Sequence, residues 1–116
     1  MQKTLELESK IFEMHAALCQ TLAHPVRLRI LSALMDREKS VNQLVELVGV
    51  PQANVSQHLA VLRERSIVTT RRDGVSIYYS IANPKIIKAC NLIREVLFEQ
   101  MATTGELAKK VERLTK

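Results

Sequence analysis

The sequence has no tryptophan, and aromatic residues make up only 3% of its 116 positions, so its core must be assembled from Leu, Ile, Val and Ala. Aspartate occurs only at Asp36 and Asp73, and the three glycines are isolated from one another. That leaves no phosphate-cradling glycine loop and no credible pairing of a nucleophile with a base, which argues against an enzyme. Two cysteines, Cys19 and Cys90, lie far apart without a C-x-x-C spacing, and they exclude both a secreted disulfide framework and a local zinc knuckle. No apolar run approaches the roughly 20 residues that span a bilayer. The first residues, with Glu6 and Glu8, also lack the basic-then-apolar layout of a signal peptide, so a cytoplasmic protein without a membrane partner is expected.

What is present is an ordinary globular balance, 47% hydrophobic and 25% charged, with an excess of basic residues that gives a net charge of +5. A positive chain favours polyanionic partners, because Lys and Arg release the counterions condensed on phosphates. The length suits a single domain over residues 1–116, with its core in about 10–100 and a charged helical extension over about 101–116.

Over residues 9–23 the apolar positions Ile11, Leu18 and Leu22, with Met14 and His15 between them, recur at helical spacing. His24-Pro25 punctuates the chain, and Val26, Leu28, Ile30, Leu31 and Leu34 predict a second helix with Arg27 and Arg29 at its polar edge. After a charged connector over residues 36–39, Ser40 and Gln43 have capping-box spacing and open a short helix that Gly49 closes. Val50-Pro51 makes a turn, and residues 52–65 form a helix carrying Val55, Leu59 and Leu62 on one face. Two short helices joined by a tight glycine-containing turn are a helix-turn-helix signature.

Beyond residue 65 the period changes to alternation, with Val75, Ile77, Tyr79 and Ile81 against Ser76, Tyr78 and Ser80. Residues 67–72 read as the partner strand, with Asp73-Gly74 as a two-residue type I′ turn. Asn83-Pro84 then starts a long helix with Ile86, Cys90, Ile93, Leu97 and Met101 on one stripe, and Gly105 interrupts it before a charged, frayed end. The fold class expected is mainly α with a β-hairpin wing, a winged helix-turn-helix. The uncovered stripes of the first and last helices predict a two-fold homodimer.

A reading helix buries one face on its own domain and offers short polar side chains on the other, since base edges are read by hydrogen bonds at close range. Gln52, Asn54, Ser56, Gln57 and His58 fit that role. Arg63 near the helix end, and Arg71 and Arg72 on the hairpin, are candidates for phosphate or minor-groove contact. The same residues could instead be a solvated outer face, with the winged fold serving as a protein-interaction module.

At the blocks Leu22-Ala23-His24-Pro25-Val26-Arg27-Leu28-Arg29-Ile30-Leu31, Val55-Ser56-Gln57-His58-Leu59-Ala60-Val61-Leu62-Arg63, Arg72-Asp73-Gly74 and Tyr78-Tyr79-Ser80, the chain resembles the ArsR/SmtB family of winged-helix repressors. The resemblance covers about residues 10–100. It implies four helices, a two-stranded wing and a last helix in a homodimer, bound to a pseudo-palindromic double-stranded DNA operator until an inducer releases it. The family's inducer sites do not carry over. Where arsenic and cadmium sensors have a Cys-x-Cys pair, this chain has Asn42-Gln43-Leu44-Val45-Glu46, and the zinc-ligand positions of the last helix match Asn83, Lys85, Val96 and Glu99. Ser66 also replaces the glycine that relatives usually place after the reading helix.

Relatives that sense oxidants or persulfides carry one early and one late cysteine, but at positions matching Ser32 and Phe98 here. Cys19 and Cys90 form a shifted pair that could act as a thiol switch if the outer helices meet. His15 and Cys19, four residues apart on one helix face, could alternatively join Cys90 in holding a soft metal or a metalloid such as arsenite. A third reading makes both cysteines small buried hydrophobes.

Overall fold

The computed structural model describes residues 2–115. The chain is made of two compact units, Met1–Asn83 and Pro84–Lys116. In the first, α1 (Gln2–Leu22), α2 (Pro25–Ala33), β1 (Lys39–Ser40), α3 (Val41–Val48), α4 (Gln52–Glu64), β2 (Val68–Asp73) and β3 (Ser76–Ile81) follow in order; the second holds α5 (Pro84–Thr104) and α6 (Glu106–Thr115). Among the described residues, no helix is long and apolar enough to cross a membrane.

Helix α1 begins seven residues before the start expected from its periodicity. The reason is propensity: Gln2, Lys3, Leu5, Glu6, Leu7 and Glu8 are strong helix formers, and no Gly or Pro interrupts them. Its end is set by Pro25, whose missing N–H and fixed φ suit the first turn of the next helix. His24 caps α2 with its ring, Nδ1 accepting from the Val26 N–H at 3.2 Å.

The core of this unit is aliphatic, as the lack of aromatics requires. Ile30 and Leu31 of α2, Leu44 of α3, and Val55, Leu59 and Leu62 of α4 are fully buried, with Val48, Ile67 and Val68 closing the edges. Ser40 caps α3 through a capping box, its hydroxyl accepting from the Gln43 N–H while the Gln43 side chain accepts from the Ser40 N–H. Gly49, at φ 77°, takes the left-handed position that ends α3.

At the end of α4 the same position falls to Ser66, at φ 61°. The Ser66 N–H donates to the Arg63 carbonyl at 3.0 Å and the Ile67 N–H reaches back to Leu62 at 2.8 Å, with both Ile67 and Leu62 buried. This is a Schellman closure made without glycine. The replacement noted in the sequence therefore leaves the helix end intact.

The sheet has three strands in the order β1-β3-β2, all antiparallel. Strand β1 is only two residues long, pairing Lys39 with Tyr79 and Ser40 with Tyr78, too short to leave a periodic signal. Lys39, read from the sequence as part of a charged connector, is only 5% exposed. Its Nζ donates to the Ala33 carbonyl at the end of α2 and to Asp36 Oδ1, which supplies the partners that a buried ammonium needs.

The hairpin turn differs from the expectation by one residue. Asp73 pairs with Ser76, so the two loop residues are Gly74-Val75, and only Gly74 has a positive φ, at 62°. Glycine at the first central position with an ordinary residue at the second is the type II′ pattern, not I′. Strand β2 accordingly runs one residue later than residues 67–72. Every β3 side chain is half-buried, so the alternation seen in sequence does not separate a dry face from a wet one.

In the second unit, Ile86, Ile87 and Cys90 of α5 are half-buried, whereas Leu92, Ile93, Val96, Leu97 and Phe98 are exposed. Gly105, at φ 80°, breaks the run after Thr104, its N–H donating to the Met101 carbonyl at 2.9 Å. The extension expected to fray is a helix, α6, from residue 106 to 115.

Candidate nucleic-acid interface

Helix α4 buries Val55, Leu59 and Leu62 against α2 and α3, and that registration decides which side chains look outward. Gln52, Asn54, Ser56 and Gln57 are all exposed, and so is Arg63 in the last turn. Four amide or hydroxyl side chains thus occupy the first two turns of a helix held rigidly from behind. Pro51 precedes the helix and no side chain caps its first turn; the Pro51 carbonyl accepts from the Asn54 N–H at 3.0 Å, which leaves the Gln52 and Ala53 N–H groups ahead of it without a capping side chain. A helix start of that kind carries partial positive charge and suits an anion such as a phosphate.

His58 does not share the exposure of these neighbours. It is half-buried and turned toward α2, its Nδ1 accepting from Arg27 Nε at 3.1 Å. The His24 ring packs on it at 4.3 Å between centroids, tilted by 50°. Burial, reinforced by the like charges of His24 and Arg27, holds the His58 imidazole below its ordinary 6.5. A neutral ring is what the Arg27 bond requires, because Nδ1 must keep its lone pair. Arg27 also donates from Nη1 to the Thr21 carbonyl at 3.0 Å, which ties the last turn of α1 to the second turn of α4. Asn54, one turn before His58, lies on the same flank of α4 but is exposed.

On the hairpin, Arg71 and Arg72 are both exposed, yet they point to opposite sides of the sheet. Arg71 is engaged: its guanidinium grips Glu38, with Nη2 at 2.6 Å from Oε1, and lies 4.9 Å from the centre of the Tyr78 ring. The Arg71 guanidinium holds the Glu38 carboxyl below the usual range. Arg72 has no ion-pair partner among the described residues. In the sequence Arg27 lies on a polar edge and His24 only punctuates the chain, while Glu38 and Tyr78 carry no signal of a role. No local pattern marks the pairing of Glu38 with Arg71 or the packing of His24 on His58, since each joins residues distant in the chain.

His15 and Cys19 are exposed on α1, and Cys90 is half-buried on α5, where burial pushes its thiol up and Arg94 partly opposes the shift. Among the described residues of one chain, no three His, Cys, Asp or Glu side chains gather to hold a metal ion.

Two short helices with the second exposed along a polar face, backed by an aliphatic core and followed by an antiparallel hairpin, make the protein a winged helix-turn-helix. Comparison with known proteins narrows the class. The model for bacterial regulatory proteins of the arsR family matches residues 24–70, from His24 through the first half of β2. The HTH-type transcriptional regulator Rv0081 of Mycobacterium tuberculosis is 43% identical over 88 residues, 75% of this chain and 77% of that one. Its crystal structure superposes with a TM-score of 0.74 over 81% of this chain and 95% of that one, at 40% identity. The transcriptional repressor PagR of Bacillus anthracis is 40% identical over 93 residues, covering 77% of this chain and 93% of its own. A homodimeric winged helix-turn-helix DNA-binding domain, Mb0332 of Mycobacterium bovis, superposes with a TM-score of 0.72 at 26% identity, over 81% of this chain and 87% of that one. The chain belongs to the ArsR family, a family of DNA-binding transcriptional regulators and not of enzymes.

Proposed function

We propose that the protein is a homodimeric repressor that binds a pseudo-palindromic operator through α4 and the wing and leaves it when an inducer acts on the outer helices. The observation that carries the reading is the outward face of α4: Gln52, Asn54, Ser56 and Gln57 are exposed on a helix whose other face is fully buried. Gln and Asn can pair bidentately with adenine, Ser can contact base or phosphate, and Arg63 and Arg72 add charge for the backbone. The net charge of +5 supports the same partner. Such a regulator works in the cytoplasm, beside the chromosome it reads.

The dimer is supported by exposed apolar stripes, Ile11, Met14 and Leu18 on α1 and Ile93 and Leu97 on α5, which a single chain leaves in water. A solved relative, Mb0332, is homodimeric. Two copies of α4 would then read half-sites about one helical turn apart. Gel-shift titration on the DNA upstream of its own gene tests the reading. Binding there must be tighter than to random duplex and must weaken steeply with salt; equal affinity for both would refute it.

For the inducer, the reading we favour is thiol chemistry that starts at Cys19, because Cys19 is exposed whereas Cys90 is half-buried and burial pushes its thiol up. Oxidant or persulfide donor should release wild-type protein from DNA, and Cys19→Ser should abolish the release. If Cys90→Ser also abolishes it, the two thiols act as a pair. Release by arsenite or zinc alone would favour a metal or metalloid site shared between subunits.

A further inference from the structure

Of the two wing arginines expected to contact phosphate, Arg71 is already occupied. Its Nε donates to Glu38 Oε1 at 3.2 Å and Oε2 at 3.1 Å, while Nη2 donates to Oε1 at 2.6 Å. A two-nitrogen grip on two carboxylate oxygens is the arrangement a phosphate would adopt with the same fork. The third nitrogen, Nη1, lies 3.9 Å from Asp73 Oδ2. One guanidinium thus faces two carboxylates.

The sheet explains how a residue before β1 reaches β2. Strand β3 lies between them, and Tyr78 pairs with both Ser40 and Arg71, so its ring lies in the path from Glu38 to Arg71. Glu38 has the same strand parity as Ser40, which puts its carboxylate on the side that Tyr78 and Arg71 share. The Tyr78 ring, 4.9 Å from the guanidinium carbon, steadies the cation. The side chains of Arg71 and Glu38 remain 53% and 37% exposed, so water and salt reach the pair and it can open.

We propose that Glu38 withholds Arg71 from the DNA backbone, its carboxylate filling the guanidinium fork as a phosphate would and so limiting how many phosphates the wing neutralises. The proposal rests on the DNA-binding reading above. It gives the two wing arginines different roles, since Arg72 adds to the positive footprint whereas Arg71 ties β2 to the start of β1. Because phosphate contacts carry no sequence information, Glu38 sets overall affinity and salt sensitivity, not base preference.

Fluorescence anisotropy with two duplexes, the promoter DNA upstream of the protein's own gene and a random sequence, tests this over a salt series for wild type, Glu38→Gln, Arg71→Ala and the double variant. Glu38→Gln is expected to bind both duplexes more tightly and to steepen the slope of log K against log salt by about 0.9, one phosphate contact. Its advantage should then shrink by about 3.5-fold between roughly 50 and 200 mM salt. Arg71→Ala should keep the wild-type slope, and the double variant should lose the gain. A slope unchanged by Glu38→Gln, weaker binding by it, or a shallower slope in Arg71→Ala would each overturn the proposal. Wild type that binds both duplexes equally sinks sequence-specific reading but leaves the slope test in force; wild type that binds neither sinks both. Thermal melts of each variant separate these outcomes from unfolding.

Discussion

Replacing Ser66 with glycine should stabilise the protein. Ser66 has φ 61°, closing α4 through the Ile67-to-Leu62 hydrogen bond of 2.8 Å, and its side chain is exposed. An L-residue in the left-handed region costs about 1–2 kcal/mol against glycine, because Cβ crowds the carbonyl oxygen. Glycine gives back about 0.4–1 kcal/mol through the greater freedom of the unfolded chain. The net gain is about 0.5–1 kcal/mol, a rise in Tm of roughly 2–4 °C for a chain of this size. Urea unfolding at fixed protein concentration measures it as a higher midpoint at unchanged m, the fixed concentration keeping association constant. Ser66→Val should move the midpoint the other way, since a β-branched side chain at positive φ is an outlier. A lower midpoint for Ser66→Gly, or no loss for Ser66→Val, would show that the strain assigned to this helix end is absent.

On DNA, Gln57→Ala should relax selectivity at one base position by about 1–3 kcal/mol, read by titrating single-base operator variants. Arg72→Ala should instead weaken operator and random duplex alike and make the salt slope shallower by about 0.9. Leu18→Glu, which puts a charge on an exposed apolar stripe of α1, should shift sedimentation toward monomer and cost operator affinity; an unshifted sedimentation profile would remove α1 from the proposed interface. Acid should also destabilise the protein through His58. Its folded imidazole titrates below the ordinary 6.5, so the unfolded chain takes up the proton first. Stability from this group is therefore complete above about pH 6.5 and is lost as pH falls toward the folded value. Urea melts of wild type and His58→Gln across that window check it, and equal pH dependence in the two proteins would contradict the assignment.

Much of the fold was legible because it is local. The apolar spacing of Val55, Leu59 and Leu62, the Ser40 and Gln43 capping box, Gly49 after α3 and Pro25 at the start of α2 each act within a few residues, and each produced the element expected of it. The outward face of α4 follows from the same spacing, since burying one side fixes the other. The Asp73-Gly74 dipeptide predicts a turn one residue early because Asp-Gly and Gly-Val both satisfy a two-residue loop, and cross-strand pairing, not the turn dipeptide, selects the register. The partners of the candidate DNA-contacting residues depend on contacts far apart in sequence. Arg27 meets His58 across 31 residues, and Arg71 meets Glu38 across 33. A histidine on a reading helix and an arginine on a wing look alike in sequence whether they are free or engaged, and only the packing of α2 on α4 and of β3 between β1 and β2 distinguishes the cases. The sequence by itself therefore determined the class of protein and its reading helix, while the tertiary structure decided which of the polar and charged residues nearby are engaged within the chain.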